Sequence, residues 1–598
     1  MANEINQRIA ALRDQMRQAG VDAAIFPQTD PHQSEYIAAH WQVRRWLSGF
    51  TGSAGDLVVT MDKAYVWADS RYWIQVAKQL DGTCVSVMYD GKAETPTILQ
   101  YLIDTLKPGQ TVGIDGMLFN VDRTEEMEAE LGRHGISLRV DFNPIDLIWL
   151  DRPALPKDAV FVHDLKYAGE SVDSKLKRVM ADIRHQGAEA AFISDLAEIA
   201  WTLNIRSSDV NCNPVVTSFL YIAPGKSTLF IDTDKLDDKV RGYLRDNGIA
   251  VAGYDTIAAF LEALPAEEKV LINPSQTAGA VRKILGGRAL LGSSPIAMLK
   301  AVKNETQLEG VRRSMIRDGV ALVKTYMVLE RRLAEGINTT EIDIDEIATA
   351  HRRENPEYFD KSFGSASAFG PNGAIVHYEA DETSNATLEP NNLWLFDSGV
   401  NYLDGTTDIT RTVSLGNPTN AQRHDFTLVM KGHIAIATAI FPVGTRGVQL
   451  DALARISLWK EGLAYFHGTG HGVGHFLNVH EGPQSIRLND TKAPMTPGMI
   501  TSNEPGLYRE GQYGIRCENL VVCEEAFTTD FGPFLKYETL TLFPFDLKLF
   551  DTAIMTDEEI RWINDYHATV CERLLPYLTA EEQKWLIANT RPLTRENA

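Results

Sequence analysis

The second half of the chain carries four carboxylates and one histidine whose setting suits metal binding. A carboxylate beside an apolar run is costly to bury without a partner. Four carboxylates carry more negative charge than one divalent ion balances, whereas two ions roughly 3.5–4 Å apart and bridged by carboxylates would balance it. Hard oxygen ligands with a single imidazole suit Mn(II) best, with Zn(II), Co(II) or Fe(II) as alternatives. The five candidate ligands are Asp397, Asp408, His471, Glu504 and Glu518.

Two predicted strands position the first pair of carboxylates. Leu393–Gly399 is an apolar strand that ends in Asp397 and a turn. Thr406–Val413 predicts a second strand, in which Asp408 and Thr410 share one face because side chains alternate along a strand. A carboxylate alone at a strand end is more often a turn or cap residue, but five candidate ligands in one region favour a site.

The other three candidates lie in a loop and near two further strands. His467–His475 alternates histidines with four glycines, which predicts a tight loop that aims imidazoles at one place. Glu504 ends a predicted strand just before a turn. Tyr513–Val522 predicts a strand that places Arg516 and Glu518 on one face.

Length and composition are typical of a globular protein with several domains. The chain has 598 residues, of which 44% are hydrophobic and 23% are charged, and this length predicts three or four domains. The formal net charge of -22 repels phosphate backbones and anionic lipid, so we expect neither nucleic acid nor membrane partners. Met1–Gly20 predicts an amphipathic helix and lacks the apolar centre of a secretory signal.

The cysteines indicate a reducing compartment. They are odd in number, scattered, and form no CxxC pair: Cys84, Cys212, Cys517, Cys523 and Cys571. Free thiols in the cytoplasm are the simplest interpretation.

Two early segments resemble diverged copies of one unit. Leu12–Phe26 and Val179–Ile193 each predict a helix that ends at glycine and is followed by a short apolar strand. A further strand ending in aspartate follows each of them, at Asp69 and Asp232. The mixture of strands and helices predicts α/β domains. Later periodicity predicts long helices at Leu308–Leu333, Ala421–Phe441 and Leu450–Phe466, and further helices between Thr556 and Thr590.

Around the five candidate ligands the chain resembles the pita-bread metallopeptidases. The Gly468–Gly474 loop, the Glu504–Gly506 turn and the Ile515–Asn519 strand all occur as that family would have them. Further motifs are similar to the three-domain, long form of Xaa-Pro aminopeptidase (aminopeptidase P): Trp46–Gly55, Asp69–Tyr72, Glu198–Arg206, Gly370–Tyr378, Asp404–Asp408 and His467–His471.

This resemblance implies an α/β (α+β) architecture with three domains. Two creatinase-type N-terminal α/β domains are expected at residues 1–157 and 158–303. A C-terminal pita-bread catalytic domain with a helical extension is expected at 304–598.

The resemblance also implies a role for each ligand. Asp397 is expected to chelate one metal ion, and Asp408 and Glu518 to bridge the pair. His471 and Glu504 are expected to complete the other ion, and Glu504 to act as the proton shuttle.

Four residues near the ligands are also expected to take part. His377, His467 and His480 resemble the family's additional active-site histidines. Arg516 is expected to orient the bridging carboxylate of Glu518. Two unusual residues nearby are interpreted as structural: Cys517, which should point away from the metals, and His475.

The implied activity is hydrolysis of the bond between an N-terminal residue and a following proline. An Xaa-Pro dipeptidase (prolidase) shares the fold but usually has one N-terminal domain, and methionine aminopeptidase normally lacks these long N-terminal domains. A non-catalytic peptide-binding protein is a further alternative. We expect a cytoplasmic homodimer, with Trp459 a candidate for its interface, and peptides with proline at the second position as partners.

Overall fold

An amphipathic helix begins the part of the chain that the computed structural model describes, residues 2–595. Helix α1 (Ala2–Ala19) buries Ile5, Ile9, Leu12 and Met16, which recur at helical spacing on one face. Gly20 follows it with a φ of 66°, a conformation that glycine adopts at little cost. The predicted N-terminal helix is therefore confirmed for the described residues.

The chain divides into two units. The first comprises Met1–Leu165 and Glu170–Ala297, and the second comprises Lys166–Gly169 and Met298–Ala598. Within residues 2–595, no helix combines the length and the apolar character that a membrane crossing requires. The predicted limits of three domains, after residues 157 and 303, stay predictions.

The first unit opens with a six-stranded sheet in the order β4-β3-β2-β1-β5-β6. Its strands are β1 (Ala23–Phe26), β2 (Asp56–Thr60), β3 (Ala64–Ala68), β4 (Ser86–Tyr89), β5 (Thr111–Gly113) and β6 (Ser137–Arg139). The accompanying helices are α2 (Val43–Ser48), α3 (Trp73–Leu80), α4 (Ile98–Thr105), α5 (Val121–Arg133) and α6 (Ile145–Ile148).

A second six-stranded sheet follows in the same unit. Its strands are β8 (Ala190–Ile193), β10 (Ser218–Ile222), β11 (Thr228–Ile231), β12 (Ala250–Ala252), β13 (Val270–Ile272) and β14 (Ala289–Leu291), and β7 (Phe161–Val162) pairs with β9 (Ile205–Arg206). The helices are α8 (Val172–His185), α9 (Leu196–Leu203), α10 (Asp238–Asp246), α11 (Ile257–Glu262) and α12 (Gly279–Leu285). Two further short helices, α7 (Leu165–Ala168) and α13 (Ala297–Ala301), each begin at the last residue of a segment of the first unit and continue into the second.

The two sheets repeat one topology. The second has the order β12-β11-β10-β8-β13-β14, which matches the first strand for strand. In both sheets the first strand pairs antiparallel on one side and parallel on the other, and the outer pairs on both edges are parallel. This agreement bears out the predicted repetition of one α/β unit.

Beyond α7 and α13, the described residues of the second unit form six α-helices and most of the short sheets. The helices are α14 (Glu305–Ala334), α15 (Glu341–Arg353), α16 (Asn420–Ala437), α17 (Gly447–Trp459), α18 (Asp557–Leu574) and α19 (Ala580–Asn589). The strands are β15 (Tyr358–Lys361), β16 (Ala366–Phe369), β17 (Leu393–Ser398), β18 (Val400–Tyr402), β19 (Gly405–Thr406), β20 (Ile409–Ser414), β21 (Phe441–Pro442), β22 (Gly470–His471), β23 (Ser485–Ile486), β24 (Ile500–Asn503), β25 (Gly506–Arg509), β26 (Tyr513–Arg516), β27 (Asn519–Thr529) and β28 (Gly532–Thr539).

Five sheets connect these strands. Their orders are β15-β18-β19, β16-β17-β20, β21-β28-β27-β24, β22-β23 and β25-β26. On β17, Trp394 and Phe396 stack 5.0 Å apart in the main apolar core of this unit, and Trp394 also contacts Tyr326 of α14. Because side chains alternate along a strand, Asp397 projects from the opposite face of β17.

Several sequence-based predictions of element length are wrong. The helix expected at Ala421–Phe441 ends at Ala437, and Phe441 begins β21. The helix expected at Leu450–Phe466 ends at Trp459, because the chain turns through Gly462 at a φ of 70°. The strand expected at Tyr513–Val522 is broken at residues 517–518. Its two parts, β26 and β27, pair with different neighbours, β25 and β24 respectively.

Candidate metal centre

Two antiparallel strands hold the first pair of predicted ligands. Asp397 lies in β17 directly opposite Thr410 of β20. Asp408 immediately precedes β20, so it lies just outside the strand in which it was predicted. Both carboxylates come to the site from the face of the sheet opposite the apolar core.

A second group of strands brings in the histidine and the third carboxylate. The His471 N–H donates to Ser502 Oγ at 2.9 Å, and that hydroxyl donates to Glu504 Oε1 at 3.2 Å. Glu504 is fixed further by its own N–H, which donates to Thr469 O at 2.8 Å. His471 Nε2 lies 3.4 Å from Asp408 Oδ2 and 3.4 Å from Glu504 Oε1. The two groups of strands therefore meet at His471.

Glu518 occupies the break between β26 and β27. Its N–H donates to Thr410 O at 3.1 Å, and Thr410 Oγ1 donates to its Oε2 at 2.8 Å. One ligand atom each from Asp408, His471 and Glu518 lies within 4.8 Å of the others. The break in the strand thus turns the carboxylate of Glu518 toward the site.

Arg516 pairs directly with Asp397 and not with Glu518, and the expectation that it orients Glu518 stays a prediction. Its Nη2 donates to Asp397 Oδ2 at 2.6 Å and its Nε donates to the same oxygen at 3.2 Å. Nε also donates to Thr410 Oγ1 at 3.2 Å. Because Thr410 in turn holds Glu518, Arg516 reaches that carboxylate only through the threonine hydroxyl.

The electrostatics of the cluster call for added positive charge. Burial, followed by neighbouring carboxylates, raises the pKa of Glu518 well above its ordinary value and also raises the pKa of Asp397. Burial likewise raises the pKa of Glu504 to about 7. Although burial opposes its charging, contact with Asp408 and Glu504 raises the pKa of His471 to about 9. Each shift shows that the ionised cluster needs protons or cations to be stable.

Individual atoms of the site fit divalent cations. Asp397 Oδ1 and Glu518 Oε1 are buried and accept no hydrogen bond from the residues described. His471 Nδ1 lies 3.0 Å from Gly472 O, and a carbonyl can only accept, so Nδ1 carries a proton and Nε2 is the nitrogen that could bind a metal ion. Nε2 faces the carboxylates of Asp408 and Glu504, and a metal ion held between these groups would replace the proton that Nε2 carries in its absence.

His480 and His467 contact other residues of the site. The ring of His480 lies 4.4 Å from that of His471, edge to face. His467 Nε2 accepts from Tyr508 OH at 2.8 Å, and that hydroxyl accepts from Arg516 Nη1 at 2.8 Å. His377 lies partly buried just after a short helical turn, Gly370–Ala374, that packs against β17 and β26.

Tyr508 and Ser502 also belong to the site, although the sequence alone does not indicate either of them. Tyr508 joins His467 to Arg516, and Ser502 joins His471 to Glu504. Neither residue type is distinctive at its position, and only the pairing of distant strands reveals the contacts. Cys517 is fully buried in the apolar core, as expected of a side chain that points away from the site.

Four family models match the chain. "Metallopeptidase family M24" matches residues 309–525, and the C-terminal region of that family matches residues 533–593. Two models of the "Creatinase/Prolidase N-terminal domain" match residues 8–145 and 151–307. Each of the two N-terminal matches covers one of the six-stranded sheets.

Known proteins similar to the chain match it over nearly its whole length. "Aminopeptidase P2" of Arabidopsis thaliana is 40% identical over 99% of this chain and 89% of its own length. "Probable Xaa-Pro aminopeptidase P" of Coprinopsis cinerea is 39% identical over 99% of both chains. The solved X-prolyl aminopeptidase of Caenorhabditis elegans, described as a cytosolic enzyme with a di-nuclear active site, has a TM-score of 0.95 and 34% identity, and the match covers 99% of this chain and 100% of that one.

Proposed function

The chain belongs to metallopeptidase family M24, and on this premise we propose that it is an Xaa-Pro aminopeptidase, which hydrolyses the bond between an N-terminal residue and a following proline. Its fold combines two creatinase-type N-terminal α/β domains with a C-terminal pita-bread domain. One observation carries the proposal: ligand atoms of Asp408, His471 and Glu518 converge within 4.8 Å in a chain that matches aminopeptidase P relatives from end to end.

Five side chains would hold two divalent metal ions. Asp397 would chelate one ion, Asp408 and Glu518 would bridge the two, and His471 and Glu504 would complete the other. When bound, the ions would supply Lewis acidity toward the scissile carbonyl and a nucleophile that is active near neutral pH. The four carboxylates and single imidazole favour Mn(II), while Zn(II), Co(II) and Fe(II) also suit such ligands.

The protein's own side chains would move the proton and hold the substrate. Glu504 would take a proton from the attacking water and pass it to the leaving proline nitrogen. His480 and His377 would donate hydrogen bonds to the developing oxyanion or the substrate backbone. Because proline in a peptide has no N–H, the pocket for its ring needs no acceptor there, and His467 would help to shape that pocket.

The test is hydrolysis of Arg-Pro-Pro by protein first stripped with a chelator. We expect release of free arginine and Pro-Pro only after a divalent metal is restored, with Mn(II) the most effective. Arg-Ala-Ala serves as the matched substrate and should be cut far more slowly. Cleavage of Xaa-Pro dipeptides alone would instead identify a prolidase, and no cleavage with Mn, Co, Zn or Fe would leave a peptide-binding protein.

We further propose a cytosolic location and three domains. The location is supported by the description of the Caenorhabditis elegans enzyme as cytosolic. The proposed limits are 1–157, 158–303 and 304–598. They are supported by the two separate sheets, whose strands span residues 23–139 and 190–291.

We also propose that the protein is a homodimer that associates through helix α17. Leu453, Ile456 and Trp459 recur every three residues on one exposed face of this helix, and Phe466 lies exposed shortly after it. A row of exposed large apolar side chains of this kind marks an interaction surface.

Trp459→Glu is therefore expected to convert the dimer to a monomer, because it places a charge within the apolar contact. Light scattering coupled to size-exclusion chromatography measures the mass directly. Ile587→Glu is the matched control, since Ile587 is equally exposed on α19. If Trp459→Glu leaves the mass at two chains, or if the parent is a monomer, the proposed interface is wrong.

A further inference from the structure

A buried Lys–Glu–Lys triad lies directly behind one of the active-site histidines. Glu481 follows His480 in the chain, and its carboxylate pairs with Lys300 Nζ at 2.7 Å and Lys303 Nζ at 2.5 Å. The three side chains are only 6%, 1% and 1% exposed for Lys300, Lys303 and Glu481. Lysine and glutamate are almost never fully buried unless they are paired, and the proposed reaction uses none of these three groups.

The lysines lie in the segment by which the chain enters the second unit at Met298. Lys303 N–H donates to Gly498 O at 3.0 Å, and Val302 forms a bridge with Met499. Strand β24, which leads to Glu504, begins at the next residue. The entering segment is thus fixed to the backbone that carries Glu504.

Glu481 connects directly to the candidate metal centre. Its N–H donates to Gly472 O at 2.8 Å, the same carbonyl that accepts from His471 Nδ1 at 3.0 Å. A side chain at residue 472 would come within 2.0 Å of Glu481 O, so the two loops approach as closely as glycine allows. The Gly472 carbonyl therefore links the position of Glu481 to the orientation of the His471 ring.

The charges of the triad hold Glu481 in a fixed position beside the Gly472 carbonyl. Although burial opposes ionisation, Lys300 and Lys303 keep the pKa of Glu481 below its ordinary value, so the carboxylate stays charged. Hydrogen bonds between charged groups are short and directional. Burial lowers the pKa of Lys303, and the charge of Glu481 opposes that shift.

We propose that the triad positions the active site: Lys300 and Lys303 hold Glu481, and Glu481 holds His480 and the imidazole of His471 in place. These three are positioning residues, since none of them would touch the substrate. The expected change in kcat rests on the proposed peptidase function. The expected change in Mn(II) affinity rests only on the geometry around His471.

The test is a triple variant in which apolar side chains of similar size replace the triad: Lys300→Met, Lys303→Met and Glu481→Leu. Such a replacement leaves no unpaired buried charge and is often tolerated in stability. We expect Mn(II) affinity, measured by calorimetry on the stripped protein, and kcat for Arg-Pro-Pro each to fall by about 10–100-fold, with KM little changed. Parent-like affinity and kcat in the folded triple variant would overturn the proposal.

The matched control is another buried pair of the same chemistry. Lys235 and Asp209 pair in the first unit with side chains 1% and 0% exposed. Their replacement by methionine and leucine should leave Mn(II) affinity and kcat unchanged. An equal loss in this control would mean that any buried pair has the same effect, and would overturn the positioning role.

A single variant keeps the inference testable if the triple variant does not fold. Lys300→Met leaves the neutral Lys303–Glu481 pair, so the fold should survive, and a smaller loss of affinity and kcat is expected. A parent-like result from folded Lys300→Met would then overturn the proposal. If the parent cleaves no peptide, the proposed function fails, but the comparison of Mn(II) affinities still decides the role of the triad.

Discussion

Replacement of His471 by alanine is expected to abolish peptide hydrolysis. His471 supplies the single imidazole among the five predicted ligands, and its Nε2 lies 3.4 Å from both Asp408 and Glu504. Without the imidazole, the carboxylates lose the neutral nitrogen ligand that joins them. We expect kcat/KM for Arg-Pro-Pro to fall by about 10³-fold or more, or roughly 4 kcal/mol of transition-state stabilisation.

The decisive measurement combines turnover with metal content. Initial rates at saturating Mn(II) should be compared with metal stoichiometry by mass spectrometry, and circular dichroism should match the parent. His185→Ala is the control for loss of an imidazole, because His185 is exposed at the end of α8. A variant of His471 that kept most of its activity would contradict the assignment, as would an active Glu504→Ala variant.

The sequence predicted the site best where residues able to bind metal lie at positions that a strand pattern defines. Asp397 ends an apolar run and Glu504 ends a predicted strand. Strand periodicity alone placed Thr410 on the face of Asp408, and Thr410 donates to Glu518. The repeated pattern of helix, glycine and strand likewise predicted a repeated α/β unit, and the two sheets have the same strand order. These features depend on neighbours within about ten residues, which the sequence displays directly.

Contacts between distant segments could not be predicted in this way. Arg516 was assigned to Glu518 because the two share a strand face, but the strand breaks between them and Arg516 pairs with Asp397, 119 residues away. The bond between Lys303 and Glu481 spans 178 residues. Neither pairing leaves a local pattern, since it depends on how separate sheets are packed.

A buried arginine supports the site from the core side. Arg411 lies between Thr410 and Thr412 on β20, so alternation turns it away from the ligands, and it is 1% exposed. Its guanidinium contacts the aromatic ring of Phe545 at 4.0 Å from the centroid. It donates to six groups: the carbonyls of Thr410, Glu518, Phe543 and Pro544, Asn519 Oδ1 and Tyr566 OH.

Arg411→Met is therefore expected to be among the most destabilising single changes in the catalytic domain. Thr410 O and Phe543 O keep other donors, but the buried carbonyls of Glu518 and Pro544 would lose the arginine without gaining water, and each unsatisfied buried group costs about 1–3 kcal/mol. We expect a loss of at least about 3 kcal/mol in the free energy of unfolding. Because Arg411 also fixes the backbone of Glu518, Mn(II) affinity should fall in any variant that still folds.

Urea unfolding followed by tryptophan fluorescence measures the loss, with Arg561→Met as the control for removal of a positive charge, since Arg561 is exposed on α18. Arg411→Lys separates charge from geometry: one ammonium cannot reach all six acceptors, so lysine should recover only part of the stability. An unfolding midpoint equal to the parent's in Arg411→Met would show that these carbonyls find other donors. In that case the strand break at Glu518 is held by its own two bonds to Thr410.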